Sequence, residues 1–403
     1  MAIIYTRKSS RKWGDDADYV ISNFEFGARM KLIHVVPHIN KEASGPSYSV
    51  PKLCQALSDM GYQVELSCLA ARGDIHGVKL DIHPEWPVFS KFSISHRHAI
   101  SLRRKTKTVG IVHNHSLWSM VNVAAGWIVL GRKAKLVTSP RGTLSEWALS
   151  RNKILKITLW PLQRRALTHA DLLHATSYQE YEDIRRLGFT APVAVIPNGI
   201  DLPQLLPKTK SPQKNLLFLG RLHPTKCVDR LLKAWCEVQE KHPGWNLRVV
   251  GVGDKEYIES LKNLSNFLGL QRVSFEGPLF GDDKSIAYRQ ADLYILPSHS
   301  ENFGMTVAEA LSHACPVIAT HGSPWSGLEI NKCGWWVDNS IESIVGALDI
   351  AMARDCEQLE KMGVNGRAWM NKEFSWKSIA VQMAASYQWL AIGGQPPACV
   401  KVD

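Results

Sequence analysis

Two glutamates and a glycine near residue 300 offer groups that suit a phosphorylated sugar. The segment Glu301-Asn-Phe-Gly-Met-Thr-Val-Ala-Glu309 follows an apolar run at residues 293–297, and an Ala-rich helical pattern begins after Gly304. This order predicts a buried parallel strand, a loop and a helix. The first N–H groups of a helix lack intrahelical partners and the helix dipole is positive there, so this turn suits a phosphate. Carboxylates accept hydrogen bonds from sugar hydroxyls, and Glu301 and Glu309 would face different parts of one ligand.

The elements that must position these residues follow an alternation of strand and helix patterns. In the first half of the chain, residues 32–36 predict a strand and residues 40–49 predict a loop that contains Gly45. A helix with Pro51 in its first turn and a strand at residues 63–69 follow. This βαβ order implies a parallel sheet. No G-x-G-x-x-G follows the first strand, which argues against a nicotinamide dehydrogenase.

The alternation starts again after a polar, Pro-rich stretch at residues 202–215, which predicts a linker. A strand pattern at residues 216–219 leads into a loop with two cations, Arg221 and Lys226, and then into a helix at residues 228–241. The 403 residues are enough for about two domains. A hydrophobic content of 45% with a charged content of 21% indicates a globular protein rather than a disordered one.

The spacing of Glu301 and Glu309, with Phe303-Gly304 between them, resembles the signature of the GT4-type retaining glycosyltransferases of the GT-B fold. The loop Pro140-Arg141-Gly142 is similar to one in the bacterial polysaccharide and lipopolysaccharide group 1 glycosyltransferases. The resemblance extends over residues 30–390 and implies an α/β fold with two Rossmann-like domains, whose parallel sheets face each other across a cleft. An amphipathic helix with two solvent-facing acids is the alternative explanation for the Glu motif alone.

The resemblance also sets the expected domain bounds. It implies an N-terminal acceptor-binding domain at residues 30–203, a C-terminal nucleotide-sugar-binding domain at residues 204–375, and a helix within residues 376–403 that crosses back to the N-terminal domain. Residues 1–29 are polar and precede Met30, so we expect them to form a poorly ordered N-terminal extension.

The resemblance assigns residues to a nucleotide-sugar donor, which is UDP- or GDP-linked. In the family, the first Glu meets the hexose, the second Glu binds the ribose, and an Arg and a Lys contact the diphosphate. These correspond here to Glu301, Glu309, Arg221 and Lys226. We expect Arg221, Lys226 and Glu301 to be catalytic, because cations stabilise the charge that a departing diphosphate gains, and no metal is then required. The further donor contacts that the resemblance implies are Gly45, Gly220, Gly277, Leu279, Phe303, Gly304 and Met305.

The expected acceptor side consists of Arg141, His115 and Trp325. Other GT4-type enzymes have a histidine near the position of Arg141, beside the reacting sugar, so the role of that histidine stays open here. An arginine suits a pyrophosphate or an acidic acceptor through bidentate hydrogen bonds. His113 and His115 point to one face of a predicted strand, but no third ligand has an informative spacing, and we expect no metal site. The implied acceptor is a glycan or a lipid-linked glycan in polysaccharide or lipopolysaccharide biosynthesis.

Basic residues are concentrated in one part of the chain. The formal net charge is +11, and residues 97–165 contain fourteen Lys or Arg but only one acid, Glu146. Such a surface suits an anionic bilayer, an acidic substrate or nucleic acid. Residues 151–170 mix cations with apolar side chains, which favours an interfacial helix, with packing in the core as the alternative. We expect an anionic membrane surface as the partner and no nucleic acid.

Two further observations bear on the compartment. No window offers the ~18 uninterrupted apolar residues of a transmembrane helix. The eight cysteines form no C-x-x-C pair, which is typical of buried thiols in a reducing cytoplasm. We therefore expect a cytoplasmic protein, peripheral at the inner face of the cell membrane.

Two other function classes fit part of the pattern. A GT-B-fold nucleotide-sugar epimerase would release free sugar without an acceptor, and the spacing of Glu301 and Glu309 argues against it. A non-catalytic basic module for membrane or nucleic acid would explain residues 97–165 but not Arg221 and Lys226. Salt-dependent binding to nucleic acid distinguishes that module from a transferase.

Overall fold

The structure is a computed structural model, and it describes residues 30–40, 45–87, 92–151, 153–205 and 213–403. The expected poorly ordered extension at residues 1–29 lies outside the described residues. Two sheets of eight and six strands organise the described chain. All paired strands are parallel except the last one, which runs antiparallel at the edge of the first sheet. The predicted α/β fold with two Rossmann-like sheets is confirmed.

The first sheet has the strand order β14-β7-β6-β5-β4-β1-β2-β3. Its strands are β1 (Lys31–Val35), β2 (Gln63–Cys68), β3 (Lys79–Ile82), β4 (Ile111–His115), β5 (Lys135–Ser139), β6 (Leu172–Ala175), β7 (Val193–Val195) and β14 (Val400–Lys401). Every residue of β4 and β6 is buried. Strands covered on both faces must be buried throughout, which explains why the central strands lack the polar alternation of a half-exposed sheet.

Helices cover both faces of this sheet. They are α1 (Gly45–Asp59), α2 (His96–Lys105), α3 (Met120–Val129), α4 (Glu146–Ser150), α5 (Lys153–Thr168) and α6 (Tyr178–Arg186). The α1 helix packs in one apolar core, and α3, α5 and α6 pack in another on the opposite face. Serine side chains at four N-caps accept hydrogen bonds from the first turns of α2, α3, α4 and α6, which fixes where these helices begin.

The second sheet has the strand order β10-β9-β8-β11-β12-β13. Its strands are β8 (Lys214–Leu219), β9 (Trp245–Val250), β10 (Val273–Glu276), β11 (Leu293–Leu296), β12 (Val317–Thr320) and β13 (Gly334–Val337). The associated helices are α7 (Val228–Val238), α8 (Lys255–Phe267), α9 (Gly281–Gln290), α10 (Met305–Ser312), α11 (Gly327–Ile330), α12 (Ile341–Met352) and α13 (Cys356–Trp369). The order reverses between β8 and β11, and such a reversal places a crevice at the carboxyl ends of the strands.

The last long helix, α14 (Trp376–Ile392), returns to the first sheet. Its buried residues Ile379, Met383 and Tyr387 share one apolar core with α1 and β1. Strand β14 then pairs with β7. The expected boundary between residues 203 and 204 falls between the two sheets and remains a prediction.

Helix α1 begins earlier than its sequence predicts. We expected Gly45 in a loop and Pro51 in the first turn, but the helix runs from Gly45 and holds Pro51 in its interior. Ser49 and Val50, which precede the proline, are buried with Leu53. Burial of this stripe outweighs the local preference of proline for a helix start.

None of the helices in the described ranges combines the length and apolar character needed to cross a membrane.

Candidate active site

A cleft cavity of about 860 Å³ lies between the two sheets. Both halves of the chain line it, and its volume is in the range of small-molecule sites. Six of the expected donor-side residues are among those that line it, namely Gly45, Gly220, Arg221, Leu279, Met305 and Glu309. Gly277 lies just before Pro278 and Leu279 in the lining, while Phe303 and Gly304 lie next to Met305 at the start of α10.

The turn before α10 depends on Gly304. Its φ is +79°, and a Cβ there would come within 3.0 Å of the Trp325 indole nitrogen. Glycine adopts this left-handed conformation without steric cost, whereas other residues are strained there. Helix α10 begins at Met305, so its unpaired N–H groups lie at the cavity wall.

The expectation for Trp325 is corrected here. Only 1% of its surface is exposed, and its ring packs against Phe303, Trp369 and Phe374 in the core of the second half. The indole N–H donates to the Phe303 carbonyl at 2.6 Å. Trp325 therefore supports the Gly304 turn from behind and offers no surface to an acceptor, because burial of its apolar ring is favourable.

Glu309 is held by two side chains of α9 that the sequence interpretation missed. Its carboxylate accepts a hydrogen bond from Lys284 Nζ at 2.6 Å and another from Tyr288 Oη at 2.7 Å. Burial is the main cause that raises the pKa of Tyr288 well above its usual value, so this phenol stays protonated and donates. Lys284 and Tyr288 are four residues apart on one helix, a spacing that places both on the same face.

Glu301 and Lys226 form an ion pair, and neither is among the residues that line the cavity. The same carboxylate accepts a hydrogen bond from Ser298 Oγ at 2.6 Å, so Glu301 is fixed from two sides. Arg221 is exposed at the cavity wall, and among the described residues no hydrogen bond or ion pair is assigned to it. Arg221 is thus a cation at the cavity wall that is open to a ligand.

Close backbone packing explains the glycines around Gly220. A Cβ on Gly251 would come within 1.8 Å of the Gly220 carbonyl oxygen, and one on Gly253 within 2.2 Å of the Leu222 carbonyl oxygen. The G-x-G pattern at residues 251–253 is a packing requirement of the wall that carries Arg221. The pattern is therefore not independent evidence for a nucleotide-binding motif.

Arg141 is partly buried in the first half of the chain, outside the residues that line the cavity. Its guanidinium donates to Ser49 Oγ at 3.0 Å, to Asn198 Oδ1 at 2.9 Å and to His115 Nδ1 at 3.1–3.3 Å. No carboxylate within the described ranges lies at ion-pair distance, and burial lowers the pKa of Arg141 to about 10. A partly buried cation without a paired anion is incompletely solvated, and this favours a ligand with negative charge.

His115 is fully buried beneath Arg141, so it offers no contact surface to an acceptor. Burial lowers the pKa of His115 well below its usual value, so the ring is neutral. A guanidinium only donates, so His115 Nδ1 accepts and the proton lies on Nε2. Nε2 lies 2.9 Å from His34 Nδ1, which must accept, and the His34 proton therefore lies on its own Nε2. The expected acceptor contact of His115 thus becomes support for Arg141.

His34 lies beside His113 and His115 and completes a group of three histidines, which sequence spacing did not predict. One ligand atom each of His34, His113 and His115 lies within 4.8 Å of the others. Strand register brings them together, since β1 and β4 pair His34 with His113. A metal ion bound to all three rings would have to displace a hydrogen bond of His115 and would lie beside the Arg141 cation. The geometry does not favour a metal, and the expectation of a metal-free site remains a prediction.

Two family models match the chain. The model described as "Glycosyl transferases group 1" matches residues 206–369, and the model described as "Glycosyltransferase Family 4" matches residues 43–204. The two matches follow one another along the chain, and each covers one of the two sheets.

Curated relatives include an uncharacterized glycosyltransferase of Haemophilus influenzae, 36% identical over 36% of this chain and 42% of that protein. A D-inositol 3-phosphate glycosyltransferase of Corynebacterium jeikeium is 29% identical over 58% of this chain and 60% of that protein. The chain therefore spans less than two thirds of the length of these relatives.

Solved structures with the same fold include sucrose-phosphate synthase from Thermosynechococcus elongatus, with a TM-score of 0.69 and 20% identity over 90% of this chain and 99% of that one. Anabaena HepE in complex with UDP and glucose has a TM-score of 0.67 and 18% identity over 88% of this chain and 98% of that one. WaaG, a glycosyltransferase involved in lipopolysaccharide biosynthesis, has a TM-score of 0.66 and 16% identity over 90% of this chain and 100% of that one.

At these identities the solved structures establish the fold, while the two family models identify the chain. Both models describe glycosyltransferases and together they cover most of the chain, so the chain is identified as a glycosyltransferase with the GT-B fold.

Proposed function

We propose that the chain transfers a hexose from a nucleotide sugar to a glycan or lipid-linked acceptor, with retention of the anomeric configuration. The observation that carries this proposal is the grouping around one cavity of about 860 Å³. Glu309 with its Lys284 and Tyr288 partners, the start of α10, and Arg221 all line this cavity. Glu301, which pairs with Lys226, lies in the loop that leads to Met305 in the lining.

Each of these groups has a role that its chemistry supports. Glu309, oriented by two donors, accepts hydrogen bonds from ribose hydroxyls, and Glu301 accepts them from the hexose. The first N–H groups of α10 and the Arg221 cation bind the diphosphate. Lys226 stabilises the charge that grows on the departing diphosphate. Positioning of the donor and this charge stabilisation supply most of the rate, and no metal is needed.

The proposed donor is UDP-linked, with a GDP-linked sugar as the other candidate. The likeness to HepE, whose structure holds UDP and glucose, supports this choice. The proposed acceptor-binding domain is residues 30–203, and the proposed donor-binding domain is residues 204–375. Helix α14, which follows the donor-binding domain in sequence, packs against the acceptor-binding domain.

The proposed acceptor carries negative charge, because the partly buried Arg141 lacks a paired anion in the described part of the chain. A lipopolysaccharide or other lipid-linked glycan fits the likeness to WaaG. The D-inositol 3-phosphate glycosyltransferases among the relatives support a phosphorylated small acceptor as the second candidate. Both candidates share an anionic group for Arg141 to bind.

A peripheral membrane position at the cytoplasmic face is part of the proposal. Ile154 and Ile157 on α5 are 84% and 62% exposed, and Trp127 on α3 is exposed beside Arg165. Apolar side chains that alternate with cations on one surface favour the headgroup region of an anionic bilayer. We call Trp127, Ile154 and Ile157 with the surrounding cations the interfacial surface.

Thermal unfolding with a panel of UDP- and GDP-linked sugars tests the proposed donor. A ligand at about 100 times its Kd stabilises the folded state by about 2.7 kcal/mol, so the true donor raises Tm. A panel in which no nucleotide or nucleotide sugar changes Tm would refute the donor site. Release of free sugar without any acceptor, at a rate that acceptor glycans do not change, would favour an epimerase instead.

A further inference from the structure

A series of three hydrogen bonds links the two halves of the protein. Asn302 Nδ2, in the loop after β11, donates to Thr176 Oγ1 at 2.7 Å. The Thr176 hydroxyl donates to Glu180 Oε2 at 2.9 Å, and Glu180 Oε1 accepts from the Gly142 backbone N–H at 2.5 Å. This series of hydrogen bonds therefore starts at the residue after Glu301 and ends at the residue after Arg141.

Glu180 is 1% exposed, which is unusual for a carboxylate. Burial raises its pKa, while N–H groups of Thr176 and Gly142 and the nearby Arg141 charge oppose that shift. In the described structure its oxygens bond to Thr176 and Gly142 and to no cation. Glu180 therefore holds the Gly142 turn, and its charge opposes the lowering of the Arg141 pKa by burial.

The turn that Glu180 holds is unusual in its backbone. Arg141 has φ +56° and Gly142 has φ +76°, so two successive residues are left-handed. A Cβ on Gly142 would come within 2.9 Å of the Asn302 Cβ. The Asn302 side chain thus packs on the turn and also bonds to Thr176. Separation of the two halves of the chain would remove both contacts at once.

We propose that Asn302, Thr176 and Glu180 are positioning residues that couple the approach of the two domains to the placement of Arg141. When the domains close, Asn302 seats on the Gly142 turn and fixes it through Thr176 and Glu180. Glu301 and Arg141 then reach their working positions together. This inference rests on the proposed transferase function, since it assumes that both residues act on one substrate pair.

The simpler explanation is that Glu180 only stabilises the first domain locally. In that case removal of Asn302, which belongs to the other half of the chain, would leave the Gly142 turn unchanged. The Asn302→Ala variant therefore separates the two explanations. Asn302 is only partly buried, whereas Thr176 and Glu180 are buried, so we expect Asn302→Ala to disturb the fold less than a change at either of the other two residues.

Hydrogen–deuterium exchange of the peptide that contains residues 141–145 is the test, on the ligand-free protein. We expect Asn302→Ala and Thr176→Val each to speed exchange of this peptide about tenfold, the effect of one lost hydrogen bond. The double variant should be no faster than the faster single variant, since both break one chain. Thr108→Val, which removes an exposed Thr hydroxyl elsewhere in the first domain, serves as the matched control. Unchanged exchange in Asn302→Ala, or additive effects in the double variant, would overturn the coupling.

A second readout links the coupling to the reaction. With UDP-glucose as the probe donor and water as the acceptor, so that glucose and UDP are the products, Asn302→Ala should lower the kcat for UDP release about tenfold and change the UDP Kd less than about threefold. A fall in UDP affinity with unchanged kcat would place Asn302 in donor binding and contradict the positioning role. If UDP and UDP-glucose fail to bind the parent protein, the proposed donor is wrong, while the exchange experiment still decides the coupling.

Discussion

At the scale of single residues, Glu309 illustrates how the fold prepares a carboxylate for a ligand. Lys284 and Tyr288 occupy one oxygen each, which fixes the plane of the carboxylate and leaves its other lone pairs open to the cavity. A side chain that is already oriented loses little conformational entropy when a ligand binds.

Replacement of Glu309 by Ala should weaken UDP binding about 10- to 100-fold, because a hydrogen bond to a charged group contributes about 1.5–3 kcal/mol. Isothermal titration with UDP measures the effect. Glu342→Ala, an exposed acid at the start of α12, is the matched control and should bind UDP as the parent does. An unchanged UDP affinity in folded Glu309→Ala would remove Glu309 from the site.

Replacement of Lys226 by Ala should lower kcat about 100-fold and raise the donor KM much less, because diphosphate charge grows towards the transition state. The variant also leaves Glu301 with Ser298 as its remaining described side-chain partner, so an unpaired acid contributes to the loss. Steady-state hydrolysis of UDP-glucose to glucose and UDP measures both constants. The double variant Lys226→Ala/Glu301→Gln removes the unpaired charge, and full recovery of kcat in it would show that Lys226 only neutralises Glu301.

At the scale of elements, α2, α3 and α5 pack in the same core on one face of the first sheet, and α2 and α5 carry the cations. Lys105 is an exception within α2, since it pairs with Glu65 and Asp81. Arg103, Arg104 and Lys107 are exposed. Lys105 is therefore a structural cation, and a test of membrane binding should leave it in place.

Ile154→Ser/Ile157→Ser should reduce binding to vesicles that contain anionic lipid about tenfold, because both side chains lose apolar area that the headgroup region would bury. Vesicle sedimentation measures this. The matched control is Ile330→Ser/Ile350→Ser, which removes two exposed isoleucines, 76% and 55% exposed, from the second half of the chain. Equal loss in both variants, or no vesicle binding by the parent, would refute the interfacial surface.

The exposed cations at the end of α2 and just after it have a separate test. Replacement of Arg103, Arg104 and Lys107 by Ser should weaken vesicle binding by on the order of 1 kcal/mol for each cation at low salt. The difference from the parent should shrink as salt rises and the Debye length falls to roughly 8 Å. UDP affinity should stay unchanged. If vesicle binding of the triple variant equals that of the parent at low salt, these cations face an acidic acceptor or no ligand.

At the scale of the whole molecule, a group of buried histidines joins the two ends of the chain. His34, His113, His115 and His174 lie in the first sheet, and His113 Nδ1 lies 2.6 Å from the Tyr387 hydroxyl of α14. Burial is the main cause that lowers the pKa of all four. For His34 the pKa falls from 6.5 to about 3.

This arrangement makes stability depend on pH with a definite sign. The unfolded chain gains protons below its histidine pKa, and the folded chain does not, so stability is complete above that pKa and falls as the pH decreases. Each histidine should cost on the order of 1 kcal/mol between about pH 7 and about pH 5.5. Denaturant unfolding at the two pH values measures the loss. His34→Asn should lose less stability than the parent over this interval, and the exposed His76→Asn should match the parent; equal losses in parent and His34→Asn would contradict the account.

The sequence by itself determined the features that local patterns encode. Periodicity of apolar residues gave the strand and helix alternation, and the segment from Glu301 to Glu309 held its loop, its left-handed glycine and its helix start within nine consecutive residues. Arg221 and Lys226 were likewise found from one loop. Such features depend on residues that are neighbours in sequence, so spacing is enough to predict them.

Only the tertiary structure decided which distant side chains meet. His34 joins His113 through strand register, Lys284 and Tyr288 reach Glu309 from another helix, and Asn302 meets Thr176 across 126 residues of chain. Burial also moved Trp325 and His115 from an expected acceptor surface into support positions. Spacing does not encode register, helix rotation or domain approach, because these follow from the packing of whole elements against each other.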